Sequence, residues 1–469
     1  MNIVNRIAGA VYALFIIITL FSCGGSSNNN PTPKPPGSTA PDSIKISADL
    51  TKVKQQMIGF GGALTWYSNW VTGNTKKNEI ADWMFTDCGI DIIRFKNWYY
   101  PDNYPTDKTT TTMSADGSNA AWDATNELYT MATQRNPNVK ILLSSWGPPV
   151  SLKSNGLLPQ GTLKKDNTGA FMYDDFAQYW SDVLDHVPFN PDYISIQNEP
   201  TFVNAGWTTC QWSNIETSTL PSYNTAFNKV YDKIKTRTFV PVMVGPESAN
   251  IQAFVPFAND LSSNSNCGMY AFHPYEISST TSNSSITSLL QSVGNFSTKP
   301  ILMTEFSDNL DWFNTALFIQ NALINANISG YIYWKLTWST PTTGTDAGMI
   351  SLASANTTSS YTVTPFYYLI KHFSKNVDNG YHRVDANSSN ASLITTAFVS
   401  PDNSKMTIVV VNSGSTQAKV YFDPGKTVNS MSANQSISGS TYYKPVTITS
   451  ATKSIFLPAN SITTVVLAI

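Results

Sequence analysis

A chain of 469 residues exceeds one average domain and has room for a barrel of about 250 residues with a smaller partner. Its 29 basic and 31 acidic residues leave a net charge of −2, and no Lys/Arg-rich run occurs, which excludes a nucleic-acid surface built on charge. Four cysteines are too few for a disulfide scaffold, and with no Cys-x-x-Cys, His-x-x-x-His or phosphate-loop spacing neither a metal nor a cofactor is expected.

The chain opens with Arg6 and an apolar run from Ile7 to Phe21, too short for a spanning helix and suited to a secretory signal. Its end, Leu20-Phe21-Ser22-Cys23-Gly24, resembles a bacterial lipoprotein signal, which implies lipidation at Cys23 and residues 1–23 as the signal. A plain signal-anchor is the alternative. Residues 24–42, rich in Gly, Ser, Asn and Pro, have nothing to bury and are expected to form a disordered tether. The expectation is an exported lipoprotein on the cell envelope or outer-membrane surface, touching the membrane only through its lipid, and monomeric.

Residues 43–56 predict one or two strands that precede a barrel and join a side domain. From residue 57 strands and helices alternate. Strands are predicted at Ile58–Ala63, Ile90–Phe95, Val139–Ser145, Tyr193–Gln197, Val242–Gly245, Met269–Phe272, Ile301–Thr304 and Tyr331–Trp334. Between them, Tyr173–Val187 carries Phe176, Tyr179, Trp180, Val183, Leu184 and Val187 on one helical face, and Asp311–Asn327 forms a second clear helix. Eight β-then-α units predict an α/β fold, a (β/α)8 TIM barrel over residues 57–374. After the helix near Pro365–Phe373 the rhythm changes to period-two alternation with turn signals, predicting an all-β side sandwich over residues 375–469. Strands there are expected at Leu393–Val399, Lys405–Asn412, Ala418–Phe422, Thr441–Thr449 and Ser461–Ile469.

Two predicted barrel strands end in an acid: Tyr-Ile-Ser-Ile-Gln-Asn198-Glu199-Pro200 and Ile-Leu-Met-Thr-Glu305-Phe. The proline predicts an extended backbone at Glu199. In a barrel of parallel strands that end carries the chemistry, and two carboxylates there suit cleavage of a glycosidic bond. Either acid alone could merely cap a helix or pair with a lysine. The same rim is predicted to gather Trp66, Arg94, Trp146, Asn198, His273, Tyr275 and Trp334 as substrate-binding residues, with Trp338 beside them. Packing tryptophans and a structural histidine are the plainer alternatives. An aromatic content of 12% suits sugar rings, whose faces stack on side chains while their hydroxyls take hydrogen bonds. Glu305 is the expected nucleophile, its pKa held low by Arg94 and Tyr275, and Glu199 the acid/base, its pKa raised. Asn198 is expected at the sugar 2-hydroxyl.

The motifs GFGGA at 59–63, SSWGPP at 144–149, SNGLLPQGTLKK at 154–165, SIQNEP at 195–200, HPY at 273–275, MTEF at 303–306 and LPANSITTVVL at 457–467 together resemble glycoside hydrolase family 30. The resemblance covers nearly everything after the tether. It implies a barrel fused to a side β-sandwich that includes the segment before the barrel, and a retaining mechanism with Glu199 as acid/base and Glu305 as nucleophile. Its xylanase-like branch implies an endo-β-1,4-xylanase. Branch members that require glucuronate supply an arginine after the eighth strand, where this chain has Lys335 and no Arg, so strict glucuronate dependence is not expected. Other family substrates, β-1,6-glucan, β-1,6-galactan or β-xylosides, stay open, as does transglycosylation. The rival of another class is a non-catalytic surface protein that binds carbohydrate. No disulfide is expected among Cys88, Cys210 and Cys267.

Overall fold

The computed structural model describes residues 43–101, 120–339, 348–352, 360–449 and 453–469. The predicted signal, the tether and Cys23 lie outside them.

Strand β1 (Ile44–Gln56) precedes a closed parallel barrel whose strands follow in chain order. They are β2 (Gly59–Ala63), β3 (Ile92–Lys96), β4 (Lys140–Ser144), β5 (Tyr193–Ser195), β6 (Val242–Ser248), β7 (Cys267–Phe272), β8 (Ile301–Phe306) and β9 (Gly330–Tyr333). Closure comes from β9 pairing back on β2, with Phe60 opposite Tyr331. All eight predicted strands are present, with ends displaced by a few residues. Alternation decides which side chain goes where. Ile92, Leu142, Leu302 and Ile332 pack inside the barrel, while Ile93, Ile141, Leu143, Met303 and Tyr331 pack outward against the helices. At Gly61 a Cβ would stand 1.7 Å from the Ile92 carbonyl oxygen, so this position of β2 accepts no side chain.

The outer helices form where the sequence has one apolar face. Tyr173–His186 buries Phe176, Tyr179, Trp180 and Val183, matching the predicted stripe. Trp312–Asn321 starts at Asp311, whose side chain accepts the Asn314 amide at 2.8 Å, and runs on as a wider turn to Ala326.

The side domain is one continuous nine-stranded sheet. To the five strands predicted from period-two runs it adds β1, also expected here, and three that were not predicted: the polar His382–Ser388 (β13) and Ser430–Ile437 (β17) and the short Ser454–Leu457 (β19). The lone parallel pair, β1 against Ala418–Asp423 (β16), joins its two halves and ties the start of the described chain to its end. Ile46, Val420 and Ile455 share a core with Met406, Ile408 and Val465 from the other end of the strand order, so the sheet folds over on itself. Within Lys405–Asn412 (β15), Met406, Ile408 and Val410 face that core, whereas Val409 and Val411 join the barrel core. Period-two alternation thus welds the two domains. The helix Pro365–Ser374 adds a polar tie: buried His372 contacts Thr464 Oγ1 at 2.9 Å and Ser436 Oγ at 2.7 Å. A small three-stranded sheet, Thr337–Ser339, Ile350–Leu352 and Tyr361–Val363, follows β9 and was not predicted.

Candidate active site

At the carboxyl ends of the barrel strands opens a cavity of about 590 Å³. Trp66, Trp146, Asn198, Glu199, Tyr275, Glu305 and Trp334 of the predicted set line it, with Trp338. The indoles form a wall: ring centroids lie 6.2 Å apart for Trp66–Trp146, 6.1 Å for Trp146–Trp334 and 6.0 Å for Trp334–Trp338. Phe202 and Trp207, stacked at 6.3 Å, stand in the same lining.

Local irregularities aim the acids. By strand alternation Leu302 and Thr304 share a parity, so Glu305 would point outward with Met303; the pairing of β8 with β9 slips between Met303 and Phe306, and Glu305 reaches the mouth instead. On β5 the chain leaves the sheet after Ser195, and Glu199 adopts φ 47°. The expected extended conformation is therefore not what forms. Two backbone hydrogen bonds over-determine the turn: Asn198 N–H donates to Ser145 O at 2.6 Å and Glu199 N–H to Glu247 O at 3.0 Å. A non-glycine residue here costs on the order of 1–3 kcal/mol, a cost concentrated at functional sites.

Beneath the acids Arg94 acts as a hub with no exposed surface. Nη1 donates to Glu305 Oε2 at 2.5 Å, Nη2 to Asn198 Oδ1 at 2.6 Å and Nε to Ser144 Oγ at 3.1 Å. Tyr275 donates its hydroxyl to Glu305 Oε1 at 2.8 Å. His273 touches Glu199 Oε1 through Nδ1 at 3.0 Å and Thr304 Oγ1 through Nε2 at 3.1 Å. Both Arg94 and His273 were expected at the substrate; the structure places them behind the carboxylates, fully buried and outside the cavity lining. They act through the acids.

The two acids are differently held. Burial lifts the Glu199 carboxyl to about 7, against the pull of Arg94 and with help from Glu247. Burial also raises Glu305, contrary to the expected low value: desolvation outweighs Arg94 and Tyr275, and Glu199 adds repulsion. Since two close carboxylates do not readily ionise together, the pair shares a proton, and Glu305, bound to a guanidinium and a phenol, yields it to Glu199. Burial pushes the His273 imidazole down to about 4, so it is neutral near pH 7.

Ligand atoms of Glu199, His273 and Glu305 all lie within 4.8 Å of one another. That spacing could suit a metal ion. Here the Glu305 oxygens already serve Arg94 and Tyr275, and a dication would crowd the guanidinium, so the donor set fits a proton-sharing acid pair better. Cys88, Cys210 and Cys267 are buried free thiols.

Several lining residues carried no clear signal in sequence: Asn250, Glu276 and Asp308, the last joined at 2.6 Å to Lys335. Glu247, wholly buried 3.1 Å from Arg94 Nε, was missed too; its motif Gly-Pro-Glu-Ser at a strand end was the available clue.

Structural neighbours share this architecture. The family-30, subfamily-8 xylanase of Clostridium acetobutylicum superposes with a TM-score of 0.67 at 21% identity, covering 91% of this chain and all of that one. An endo-β1,6-glucanase gives a TM-score of 0.68 at 15% identity over 91% of this chain and 94% of its own. At these identities the likeness is one of fold, the barrel with a side β-domain seen in family-30 glycoside hydrolases. In sequence, an endo-1,6-β-D-glucanase of Aspergillus fumigatus is 26% identical over 212 residues. That match spans 39% of this chain and less than half, 43%, of the fungal enzyme. No family model matches the chain.

Proposed function

We propose that the chain is a retaining glycoside hydrolase of family 30 that cleaves a neutral β-linked polysaccharide. The observation that carries this reading is the facing pair Glu199 and Glu305, with carboxylate oxygens within 4.8 Å across the mouth of an aromatic-walled cleft. Retaining enzymes hold their carboxyl groups about 5–5.5 Å apart, whereas inverting enzymes leave room for a water. Glu305 attacks the anomeric carbon as Glu199 protonates the leaving oxygen. Water activated by Glu199 then releases the sugar from Glu305 with net retention. Asn198, fixed by Arg94, meets the 2-hydroxyl.

The leading substrate is xylan without strict dependence on glucuronate branches. Lys335 supports this: its ammonium is bound by Asp308 and lies over Trp338, and Glu199, Glu276, Glu305 and Asp308 make the cleft acidic overall. A glucuronate would find no arginine fork there. β-1,6-Glucan is the second reading, favoured by the sequence likeness to the fungal endo-1,6-glucanase. Activity should fall as pH rises past about 7, where Glu199 loses its proton. The test is digestion of plain xylan, glucuronoxylan, β-1,6-glucan and β-1,6-galactan, with proton NMR of the first product. A β-anomer from plain xylan is expected. An α-anomer would remove the retaining mechanism; cleavage of β-1,6-glucan alone would move the assignment to the second reading. The export route and lipid at Cys23 belong to the same proposal, checked by globomycin-sensitive processing of the full chain.

A further inference from the structure

The chemistry just described leaves one buried acid without a task. Glu247 ends β6 at φ 52°, where the pairing of β6 with β7 slips between Pro246 and Ser248, the same device that re-aims Glu305 on β8. Its side chain has no exposed surface, and its Oε1 stands 3.1 Å from Arg94 Nε. Arg94 therefore faces two carboxylates: it hydrogen-bonds Glu305 through Nη1, while its Nε, whose proton goes to Ser144 Oγ, lies within ion-pair distance of Glu247. The backbone oxygen of Glu247 also accepts the Glu199 amide at 3.0 Å. A buried carboxylate is costly unless its charge is matched, and a residue held in the left-handed region adds to that cost. An apolar side chain in this place would be cheaper for folding alone.

Resting on the retaining reading above, we infer that Glu247 is a positioning residue for Glu199: its fixed negative charge offsets Arg94, and its carbonyl anchors the acid/base backbone. The charge count gives the reason. With Arg94, Glu199 and Glu305 alone, ionising both acids leaves the cluster at −1. With Glu247 ionised as well, both acids ionised would bring it to −2 in a largely buried cluster, so a proton stays on Glu199. Arg94 can then grip the nucleophile without stripping the proton donor.

The groups facing this cluster come from every wall. They are Arg94 on β3, Ser195 on β5, Tyr223 on the helix Tyr223–Ile234, His273 and Tyr275 beyond β7, and Thr304 and Glu305 on β8. Arg94 holds Glu247 below the ordinary glutamate value despite its burial, and the Glu247 charge in turn raises Glu199.

The experiment compares pH profiles of kcat/KM for wild type, Glu247→Gln and Glu247→Asp on the glycan the wild type cleaves, with Glu305→Gln as the inactive control. In Glu247→Gln the basic limb should move to lower pH by about one unit, read as a roughly tenfold loss above the limb relative to the optimum. Glu247→Asp keeps the charge and should hold the limb near its wild-type position while kcat falls. A limb that stays put in the Gln variant, or a loss equal at every pH, would overturn the inference. Should the Gln variant not fold, carbon-13 NMR of glutamate-labelled wild type decides, with the Asp variant supplying the assignment. The Glu247 carboxylate should stay ionised across the whole pH range of activity, and titration inside that range would overturn it. An active Glu305→Gln would instead remove the retaining reading, and the NMR arm would still report the charge of Glu247.

Discussion

Glu199 and Glu305 stand across one cleft within 4.8 Å, yet the protein surrounds them with opposite chemistry. On the β8 side, Glu305 receives a guanidinium at 2.5 Å and a phenol at 2.8 Å, both donors aimed at an anion. On the β5 side, Glu199 faces a neutral imidazole, and the pull of Arg94 on its carboxyl is opposed by the buried Glu247. On the proposed mechanism the same side chain thus serves as nucleophile in one place and as proton donor in the other. Burial alone cannot separate them, since it raises both. Donors near Glu305 and like charge near Glu199 make the difference.

Removing either acid breaks that comparison. Glu305→Gln should be the most damaging change, lowering kcat on the order of 10⁴-fold or more, because no glycosyl-enzyme can form. Initial rates on the preferred glycan measure this, with the folded state checked by thermal unfolding. Glu199→Gln should cost about 10²–10⁴-fold on the polysaccharide. Its defect should shrink on an aryl glycoside whose leaving group needs no proton, while that of Glu305→Gln should not. Equal defects on both substrates would erase the distinction between the two stations.

The smallest effect lies away from the cleft and sharpens the contrast between buried histidines. His372 is pushed down to about 3 by burial and links the barrel helix to the side sheet. A histidine with a depressed folded pKa binds its proton in the unfolded chain first. Its contribution is therefore fully present above about pH 6.5 and erodes as pH falls below that, towards 3. Replacement by Asn should lower the melting temperature at neutral pH by several degrees and flatten its decline below about pH 6.5, with kcat unchanged. A melting curve as pH-dependent as that of wild type would show that His372 is not the group responsible.

Much of this was legible in one dimension. Eight apolar strand runs spaced by helical stripes point to a barrel more readily than to an open sheet, with one face of each strand buried inside the closed sheet and the other under a helix. Acids after Asn198 and Thr304 mark the two stations for the same reason: strand ends in such a barrel share one rim. The strands β13 and β17 carry mostly polar side chains, and β19 is only four residues long, so none of them registers as a period-two run of its own. Arg94 and His273 could be assigned to the rim but not to their depth, and no spacing rule tells a wall residue from one behind it.

Sequence by itself determined the layers, the order of the barrel strands and which residues could meet at their ends, since these follow from hydrophobic period and chain direction. Tertiary structure decided the slips on β6 and β8, the left-handed turn at Glu199 and the use of Arg94 by two acids at once. Those depend on backbone partners drawn from distant strands, and on a burial that sets proton affinity only after the walls have closed.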